Sequence, residues 1–198
     1  MTIKIINVYS LSKRDILNKA IDLVDDFSRV NRIMPYRLKE SRYPYARNIF
    51  QVKGMFVSPN VIYVNLDKCA IPGSGTRMRF SFPGYKVDAT PFGVLCHEFG
   101  HYISWLKNGI GRSYEWELIV NNSRRISGYE PNSEESFAES FRLFLTNSDM
   151  LKRGSGARYE FMLKLGLKPV VKDNFIKVLK ERGVCRNILK CAKNYCDI

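Results

Sequence analysis

Histidine, long apolar runs and paired cysteines are all scarce in this sequence of 198 residues. Only two histidines and five cysteines are present. An odd number of cysteines without dense, even spacing does not form the disulfide framework of a small secreted protein, so we expect reduced thiols. The longest uncharged run, residues 54–66, has 13 residues and contains a proline, whereas a transmembrane helix needs about 18 to 20 apolar residues. The sequence therefore predicts no membrane span.

The N-terminus also lacks the features of a signal peptide. Its apolar stretch, residues 5–9, is short, and no small-residue cleavage site follows. We expect a protein that is cytoplasmic as synthesised, and delivery by injection or by packaging in a particle stays open. Hydrophobic residues make up 45% of the chain. This is enough for the core of one domain, or of one domain with an appendage.

Acidic side chains are outnumbered, with 32 Lys and Arg against 19 Asp and Glu, which gives a formal net charge of +13. Residues 1–151 hold 20 basic and 15 acidic side chains, whereas residues 152–198 hold 12 and 4, so the last quarter of the chain is the strongly basic part. Excess positive charge favours anionic partners such as nucleic acid, a membrane surface or an acidic protein. A solvated helical face is the commoner explanation, and nucleic-acid binding by residues 152–198 is the alternative.

Apolar patterning predicts both strands and helices, and hence an α+β fold. Strands are expected at 3–9 and 61–66, and an alternating segment at 76–82 is typical of an edge strand. A helix is expected to begin at a capping box formed by Ser12 and Asp15, with Val30 among its apolar positions, and to end between residues 31 and 35.

Three more helices are expected in the middle of the chain. The first runs over 91–108, with Thr90 as its cap and Gly109 as its stop. The second begins after Ser113, and its apolar positions are Trp116, Leu118, Ile119 and Ile126. The third is capped by Asn132 or Ser133 and ends near residue 147. Beyond a linker-like segment at 154–156, the chain is expected to form two or three short basic helices.

The motif H-E-x-x-H occurs at 97–101, in the middle of the predicted helix 91–108. Residues four apart on a helix differ by about 40° in azimuth, so His97 and His101 project from one face and can share a metal ion, with Glu98 at the flank of that face. Two neutral imidazoles can hold Zn²⁺, and the adjacent carboxylate can take a proton from water on the metal. Two histidines aligned by chance are the alternative.

A third zinc ligand cannot be histidine, because the chain has no third one. This excludes zinc peptidases of the H-E-x-x-H-x-x-G-x-x-H kind and the three-histidine DNA-crosslink proteases. A catalytic zinc takes three protein ligands and a water, and the third predicted helix supplies carboxylates at Glu134, Glu135 and Glu139. Glu135 and Glu139 share a face, so one can bind the metal while the other hydrogen-bonds a histidine. Glu134 is turned about 100° away, into solvent. Stabilisation of the helix dipole is the other explanation of these acids.

Two segments, HEFGH at 97–101 and ESFAESFR at 135–142, resemble the family of the anthrax lethal factor catalytic domain and the clostridial Pro-Pro endopeptidases. Members of this family are zincins whose third zinc ligand is a glutamate. The resemblance covers about residues 90–145 and implies a zincin-like metallopeptidase, with a small twisted sheet, an H-E-x-x-H helix and a glutamate helix. We accordingly expect a catalytic domain at 1–150, with a basic helical segment at 151–198 packed on the same domain.

The resemblance also assigns roles to individual residues. In the family motif E-x-F-A-E-[AS]-F the first glutamate binds zinc, which implies that Glu135 is the ligand and that Glu139 hydrogen-bonds a histidine. A tyrosine in the preceding loop supports the oxyanion, and Tyr129 is its natural match. Tyr129 stands six residues before Glu135, whereas the family tyrosine stands one residue earlier, where this sequence has Gly128.

We therefore predict a zinc-dependent endopeptidase that hydrolyses peptide bonds of a protein substrate, with Glu98 as general base. The competing hypothesis is a basic binding or structural protein, for nucleic acid or an acidic partner, with an inactive zincin core. Glu98 argues against it, because a structural zinc is closed by four protein ligands and has no use for a base.

Two other groups of residues have both an ordinary and a functional interpretation. Arg77 and Arg79 alternate with apolar residues on the predicted strand 76–82. They form either a solvated strand face or part of the edge against which a zincin lays its extended substrate, where they would favour acidic residues. Cys185 and Cys196 follow helical spacing and are expected to pack rather than bind metal, and Cys96 is expected in the core.

Overall fold

Our computed structural model describes residues 12–40, 52–69 and 89–169. Within these ranges the chain has six α-helices and one three-stranded sheet, which confirms the predicted α+β class. The elements in chain order are α1 (Lys13–Asn31), β1 (Arg37–Glu40), β2 (Gly54–Val57), β3 (Val61–Val64), α2 (Pro91–Leu106), a 3₁₀ turn (Ile110–Arg112), α3 (Tyr114–Asn121), α4 (Ser133–Thr146), α5 (Ser148–Gly154) and α6 (Gly156–Lys164).

Helix α1 begins at the predicted capping box. The Ser12 hydroxyl accepts the Asp15 N–H, and the Asp15 carboxylate accepts the Ser12 N–H in return. The buried face of the helix consists of Ile16, Leu17, Ala20, Leu23, Val24 and Phe27. Periodicity also predicts Val30 on this face, but Val30 is 49% exposed because it lies in the last, uncovered turn before the helix ends at Asn31.

Strand β3 is the centre of the sheet and matches the strand predicted at 61–66, although it ends at Val64. β1 pairs with it in parallel and β2 pairs with it antiparallel. Ile62 and Val64 are fully buried, on the side of the sheet that contacts α2. Patterning predicts neither β1 nor β2, because each has only four residues and neither has a fully buried position.

Helix α2 carries the H-E-x-x-H motif and contacts α1, α4, β2 and β3. The Thr90 hydroxyl caps it by accepting the Gly93 N–H, as the sequence predicts. It ends at Leu106, two residues before the predicted end, and the chain then turns at Gly109, whose φ of +73° suits glycine. Twelve of its 16 residues are buried, including the predicted core residue Cys96, so α2 is a core helix.

Helices α3 and α4 surround the loop that leads to the second motif. α3 ends at Asn121, so the prediction that Ile126 belongs to this helix is wrong: Ile126 is a buried residue of the following loop. α4 begins and ends close to the predicted positions, and Asn132 is its cap, accepting the Glu135 N–H. Eleven consecutive residues of α4, from Ser136 to Thr146, are buried, so α4 is the second core helix.

Residues 148–164, which lead into the basic C-terminal segment, fold into two short helices. α5 contacts α4, and α6 contacts α3, α4 and α5. The predicted linker at 154–156 is a tight junction in which the Ser155 hydroxyl caps α6. No helix among residues 12–40, 52–69 and 89–169 is long and apolar enough to cross a membrane.

Several predictions fall outside the described residues. They concern the strands at 3–9 and 76–82, the two arginines Arg77 and Arg79, and the chain beyond residue 169 with its cysteines Cys185 and Cys196.

Candidate metal centre

A close approach of α2 to α4 brings the two sequence motifs together. Gly100 lies between the histidines of α2 and against the backbone of Ala138 in α4. A Cβ added to Gly100 would lie 2.8 Å from the Ala138 Cα and 3.0 Å from its carbonyl oxygen. Backbone atoms cannot yield locally to such contacts, so only glycine allows the helices to pack at this separation. The helix spacing in turn lets side chains of α2 and α4 meet.

Three side-chain atoms converge between these helices. Nε2 of His97 lies 3.0 Å from Oε2 of Glu135 and 3.2 Å from Nε2 of His101. The third side of the triangle, from His101 Nε2 to Glu135 Oε2, is 3.4 Å. Among the His, Cys, Asp and Glu side chains in the described parts of the chain, these three residues form a cluster that could hold a metal ion. The structure thus brings together the three residues predicted as ligands.

The size of this triangle fits a small tetrahedral metal ion. Donor atoms about 2.0 to 2.1 Å from a tetrahedral Zn²⁺ lie about 3.3 to 3.4 Å from one another. The observed separations of 3.0, 3.2 and 3.4 Å are close to these values. The three atoms can therefore bind one ion with small side-chain adjustments.

Glu139 lies behind His97, on the side away from the triangle. Its Oε1 is 2.8 Å from Nδ1 of His97, and Arg142 holds both of its oxygens, with Nε at 3.0 Å and Nη2 at 2.9 Å. Burial raises the pKa of Glu139, but the Arg142 charge and the His97 hydrogen bond lower it below its usual range. An ionised carboxylate only accepts, so Nδ1 of His97 carries the proton. The lone pair of a neutral His97 is therefore at Nε2, in the triangle.

The charges around the triangle favour a cation, either a proton on His97 or a metal ion. Burial raises the pKa of Glu135, but hydrogen bonds to His101 and His97 lower it to about 2, so its oxygen carries no proton. The Glu135 oxygen and the Nε2 of a neutral His97 would be two acceptors 3.0 Å apart. Without metal, a second proton on His97 resolves this conflict: burial lowers its pKa, but Glu135 and Glu139 raise it to about 10. A metal ion can take the place of that proton.

Glu98 is buried beside the triangle and does not belong to it. Its Oε2 accepts the backbone N–H of Phe56, in strand β2, at 2.9 Å. Burial raises the pKa of Glu98, whereas the charges of His97 and His101 lower it. The effect of burial is the larger one, so the pKa of Glu98 lies above its usual value. A carboxylate whose pKa is raised toward neutrality is suited to accept a proton. The site therefore has a candidate base that is held by strand β2 and does not belong to the three candidate ligands.

Tyr129 lies beside His97, in the loop between α3 and α4. Its ring centroid is 5.7 Å from that of His97, and the residue is 45% exposed. Partial burial and the negative charges of Glu135 and Glu98 raise the pKa of its hydroxyl. The hydroxyl thus keeps its proton and is available as a hydrogen-bond donor to a bound molecule.

A buried carboxylate holds the loop that carries Tyr129. Glu130 Oε1 accepts the N–H groups of Ile126 and Ser127, at 2.8 and 2.7 Å. Its Oε2 accepts the Ser136 hydroxyl and Nη1 of Arg158, both at 2.8 Å. Arg158 is fully buried and belongs to α6. The C-terminal segment therefore takes part in fixing this loop.

Sequence reasoning missed three of these supporting residues. The i,i+3 spacing of Glu139 and Arg142 on one helix is a signal that could have revealed their pairing. Glu130 and Arg158 are 28 residues apart and belong to different elements, so no local pattern links them. Glu134 is turned away from the triangle as predicted, but it pairs with Arg112 at 2.6 Å rather than lying free in solvent.

Comparison with known proteins does not extend these assignments. No protein-family model matches the chain, and no curated protein is significantly similar to it. The interpretation of the site therefore depends on its own geometry and chemistry.

Proposed function

We propose that the protein is a zinc-dependent endopeptidase with a zincin-like fold, similar to the lethal factor and Pro-Pro endopeptidase family. The observation that carries this proposal is the triangle of His97, His101 and Glu135, with sides of 3.0 to 3.4 Å, beside the carboxylate of Glu98. The ligand set leaves room for a substrate, and the neighbouring carboxylate can move a proton. These are the two requirements of metal-assisted hydrolysis.

The donor set favours zinc over other metal ions. Two imidazole nitrogens and one carboxylate oxygen are the protein ligands of many catalytic zinc sites, which keep a fourth position open. Mg²⁺ and Ca²⁺ prefer sites made wholly of oxygen atoms, in larger numbers. The hydrogen bond from His97 to Glu139 fixes the ring so that Nε2 faces the metal position.

Each residue has a distinct role in the proposed reaction. Bound zinc would lower the pKa of water and polarise the carbonyl of the scissile peptide bond. Glu98 would accept a proton from the attacking water and deliver it to the nitrogen of the departing amine. The Tyr129 hydroxyl would donate a hydrogen bond to the carbonyl oxygen as negative charge develops on it.

The domain boundaries belong to the same proposal. Residues 1–150 would form the catalytic domain, and residues 151–198 a basic helical segment packed on it. Helix α5 spans this boundary, and the contacts of α6 with α3 and α4, together with the buried Arg158 beside Glu130, support the packing of the segment on the domain.

A matched substitution tests the proposed activity. Glu98→Gln keeps the shape of the side chain and an oxygen that can accept the Phe56 N–H, but an amide cannot accept a proton from water. We expect this variant to bind zinc as the unmodified protein does and to cleave peptides about 10² to 10⁴ times more slowly. Zinc is measured by mass spectrometry, and cleavage by proteome-wide identification of new N-termini in a lysate.

Two outcomes would overturn the proposal. One is a zinc-loaded protein that cleaves no peptide bond in the lysate or in a broad peptide library. The other is equal cleavage by the unmodified protein and Glu98→Gln.

The net charge of +13 favours a second candidate function, binding of nucleic acid or an acidic protein around an inactive core. Such binding would weaken steeply as salt is raised, because each neutralised phosphate releases counterions. The substitution Glu98→Gln would also leave the affinity of such binding unchanged. Titration of a labelled oligonucleotide at several salt concentrations therefore distinguishes this function from peptidase activity.

A further inference from the structure

Strand β2 presents part of its backbone to Glu98. The Asn65 N–H donates to the carbonyl of Lys53 at 2.8 Å, so this pair is hydrogen-bonded. Bonded and non-bonded pairs alternate along an antiparallel ladder. From the register, Met55 pairs with Tyr63 through backbone hydrogen bonds, whereas the backbone groups of residues 54 and 56 point away from β3. The outward N–H of Phe56 is the group that Glu98 binds.

Gly54 lies at the other contact between β2 and Glu98. A Cβ added to Gly54 would lie 2.8 Å from Cγ and 2.9 Å from Oε1 of Glu98, and 2.5 Å from Cγ1 of Val94. The Glu98 side chain thus fills the space that any larger residue at position 54 would need. The two carboxylate oxygens therefore have different surroundings. Oε2 accepts the Phe56 N–H, whereas Oε1 lies in the space left by the absent side chain of Gly54.

We propose that Gly54 and the Phe56 N–H form a seat that positions the general base, with Oε1 of Glu98 as the oxygen that receives the proton. This inference rests on the proposed function. Glu98 has three side-chain torsions and lies at the flank of the histidine face of α2, so the helix alone does not fix its carboxylate. The seat supplies the missing constraint from a strand whose Phe56 lies 42 residues before Glu98 in the sequence. Gly54 is accordingly a positioning residue.

Gly54→Ala tests the seat, because its methyl group would displace Oε1. We expect zinc content to stay unchanged and kcat to fall about 100-fold, the usual consequence of moving a reacting group by about 1 Å. KM should stay within about twofold, because neither the metal ligands nor Tyr129 is touched.

Val94 provides the matched control for the packing effect of this substitution. Val94→Ala alone should lower Tm and leave kcat within about twofold, because Val94 is an apolar core residue with no polar group that could bind the metal or move a proton. The double variant Gly54→Ala/Val94→Ala removes the 2.5 Å contact but keeps those with Glu98. The Tm of the double variant should be higher than that of Gly54→Ala, whereas its kcat should be as low as that of Gly54→Ala. Recovery of kcat together with Tm would overturn the proposal, since it would reduce Gly54 to a packing residue.

Amide hydrogen exchange tests the seat independently of activity. The Phe56 amide should exchange slowly in the unmodified protein and at least tenfold faster in Gly54→Ala and in Glu98→Ala. The Met55 amide, which faces β3, should be unaffected and is the internal control. Unchanged exchange of Phe56 in both variants would disprove the seat, even in an active enzyme. Conversely, a protein that cleaves nothing but shows the expected exchange would disprove the proposed function and keep the seat as a structural contact.

Discussion

His97 donates its Nδ1 proton to Glu139 across 2.8 Å, and its other nitrogen faces Glu135 at 3.0 Å. One imidazole thus lies between two carboxylates from a single helix turn of α4. The two contacts are not equivalent. Glu139 is buried and also held by Arg142, whereas Glu135 is partly exposed and close to His101. Glu139 therefore orients the ring, and Glu135 is the glutamate suited to bind a metal.

The first prediction separates these two glutamates. Glu135→Ala should purify largely without zinc, because only two histidine ligands remain. Glu139→Gln keeps one oxygen that can accept the Nδ1 proton and the Nε–H of Arg142, although its NH₂ group then meets Nη2 of Arg142. It should retain zinc when metal is in excess, at lower stability and with metal affinity or activity about 10- to 100-fold lower. Metal content is measured by mass spectrometry after dialysis.

Glu139→Ala is a less suitable variant, because it removes the bidentate partner of the buried Arg142, which commonly costs about 3 to 5 kcal/mol of stability. Loss of zinc by Glu139→Gln together with its retention by Glu135→Ala would reverse our assignment. It would show that the ligand lies one turn further along α4.

A second prediction concerns the pH dependence of the metal-free protein. His97 has a pKa of about 10 in the folded protein against 6.5 as its ordinary value, so its contribution to stability is complete below pH 6.5 and is lost as pH rises toward 10. Glu135 has a pKa of about 2 against 4.5, so its contribution is complete above pH 4.5 and is lost as pH falls toward 2. These two groups favour maximal stability between pH 4.5 and 6.5.

Zinc should change the alkaline half of this profile, since the ion replaces the second proton of His97. Tm of chelator-treated protein should fall between pH 6.5 and 9, and the gap between zinc-loaded and metal-free Tm should widen over the same range. The zinc-loaded protein serves as the control for titration elsewhere in the chain. A metal-free Tm that is flat or rising from pH 6.5 to 9 would contradict the arrangement around His97.

The helices of the site could be predicted from sequence because their signals are local. Thr90, Asn132 and Ser12 each stand immediately before an apolar periodic segment, and each is observed as a cap. The four-residue spacing of the histidines and of the two glutamates also survives folding unchanged, because it is a property of a single helix.

What could not be predicted depends on contacts between distant segments. Strand β2 is too short and too exposed to show a pattern, yet its Phe56 N–H holds Glu98, 42 residues away. In the sequence, Glu130 is an acidic residue of a loop and has no pattern that distinguishes it. In the structure it is buried and forms an ion pair with Arg158. Such pairings become visible only once the elements are packed.

A third prediction concerns Tyr129. Tyr129→Phe should retain zinc and the fold, because Tyr129 is 45% exposed and the substitution keeps the ring beside His97. Its kcat should fall about 10²- to 10³-fold with little change in KM if the hydroxyl stabilises the developing oxyanion. Steady-state kinetics on a cleaved peptide measure this split. A kcat equal to that of the unmodified protein would remove Tyr129 from the mechanism.

A fourth prediction tests the ion pair between Glu130 and Arg158 that anchors the loop carrying Tyr129. Arg158→Met should lower the stability by about 3 to 5 kcal/mol, because it leaves the buried Glu130 without its cationic partner. Glu130→Gln/Arg158→Met removes both charges and should recover part of that loss while keeping an acceptor for the Ile126 and Ser127 amides. Chemical denaturation gives the free energies, and a double variant no more stable than Arg158→Met would contradict the pairing.

The last prediction concerns the glycine between the two histidines. Gly100→Ala places a methyl group 2.8 Å from the Ala138 Cα, so α2 and α4 must separate. Forced separation of well-packed helices typically costs about 1 to 3 kcal/mol. It also pulls His97 and His101 away from Glu135, so we expect zinc affinity to fall together with stability.

Gly156→Ala is the matched control, because its methyl group meets nothing within 4 Å at the start of α6 and alanine favours the helix. Differential scanning fluorimetry with and without zinc compares the two variants. If Gly100→Ala bound zinc as tightly as Gly156→Ala, the spacing of α2 and α4 would not be what sets the metal site.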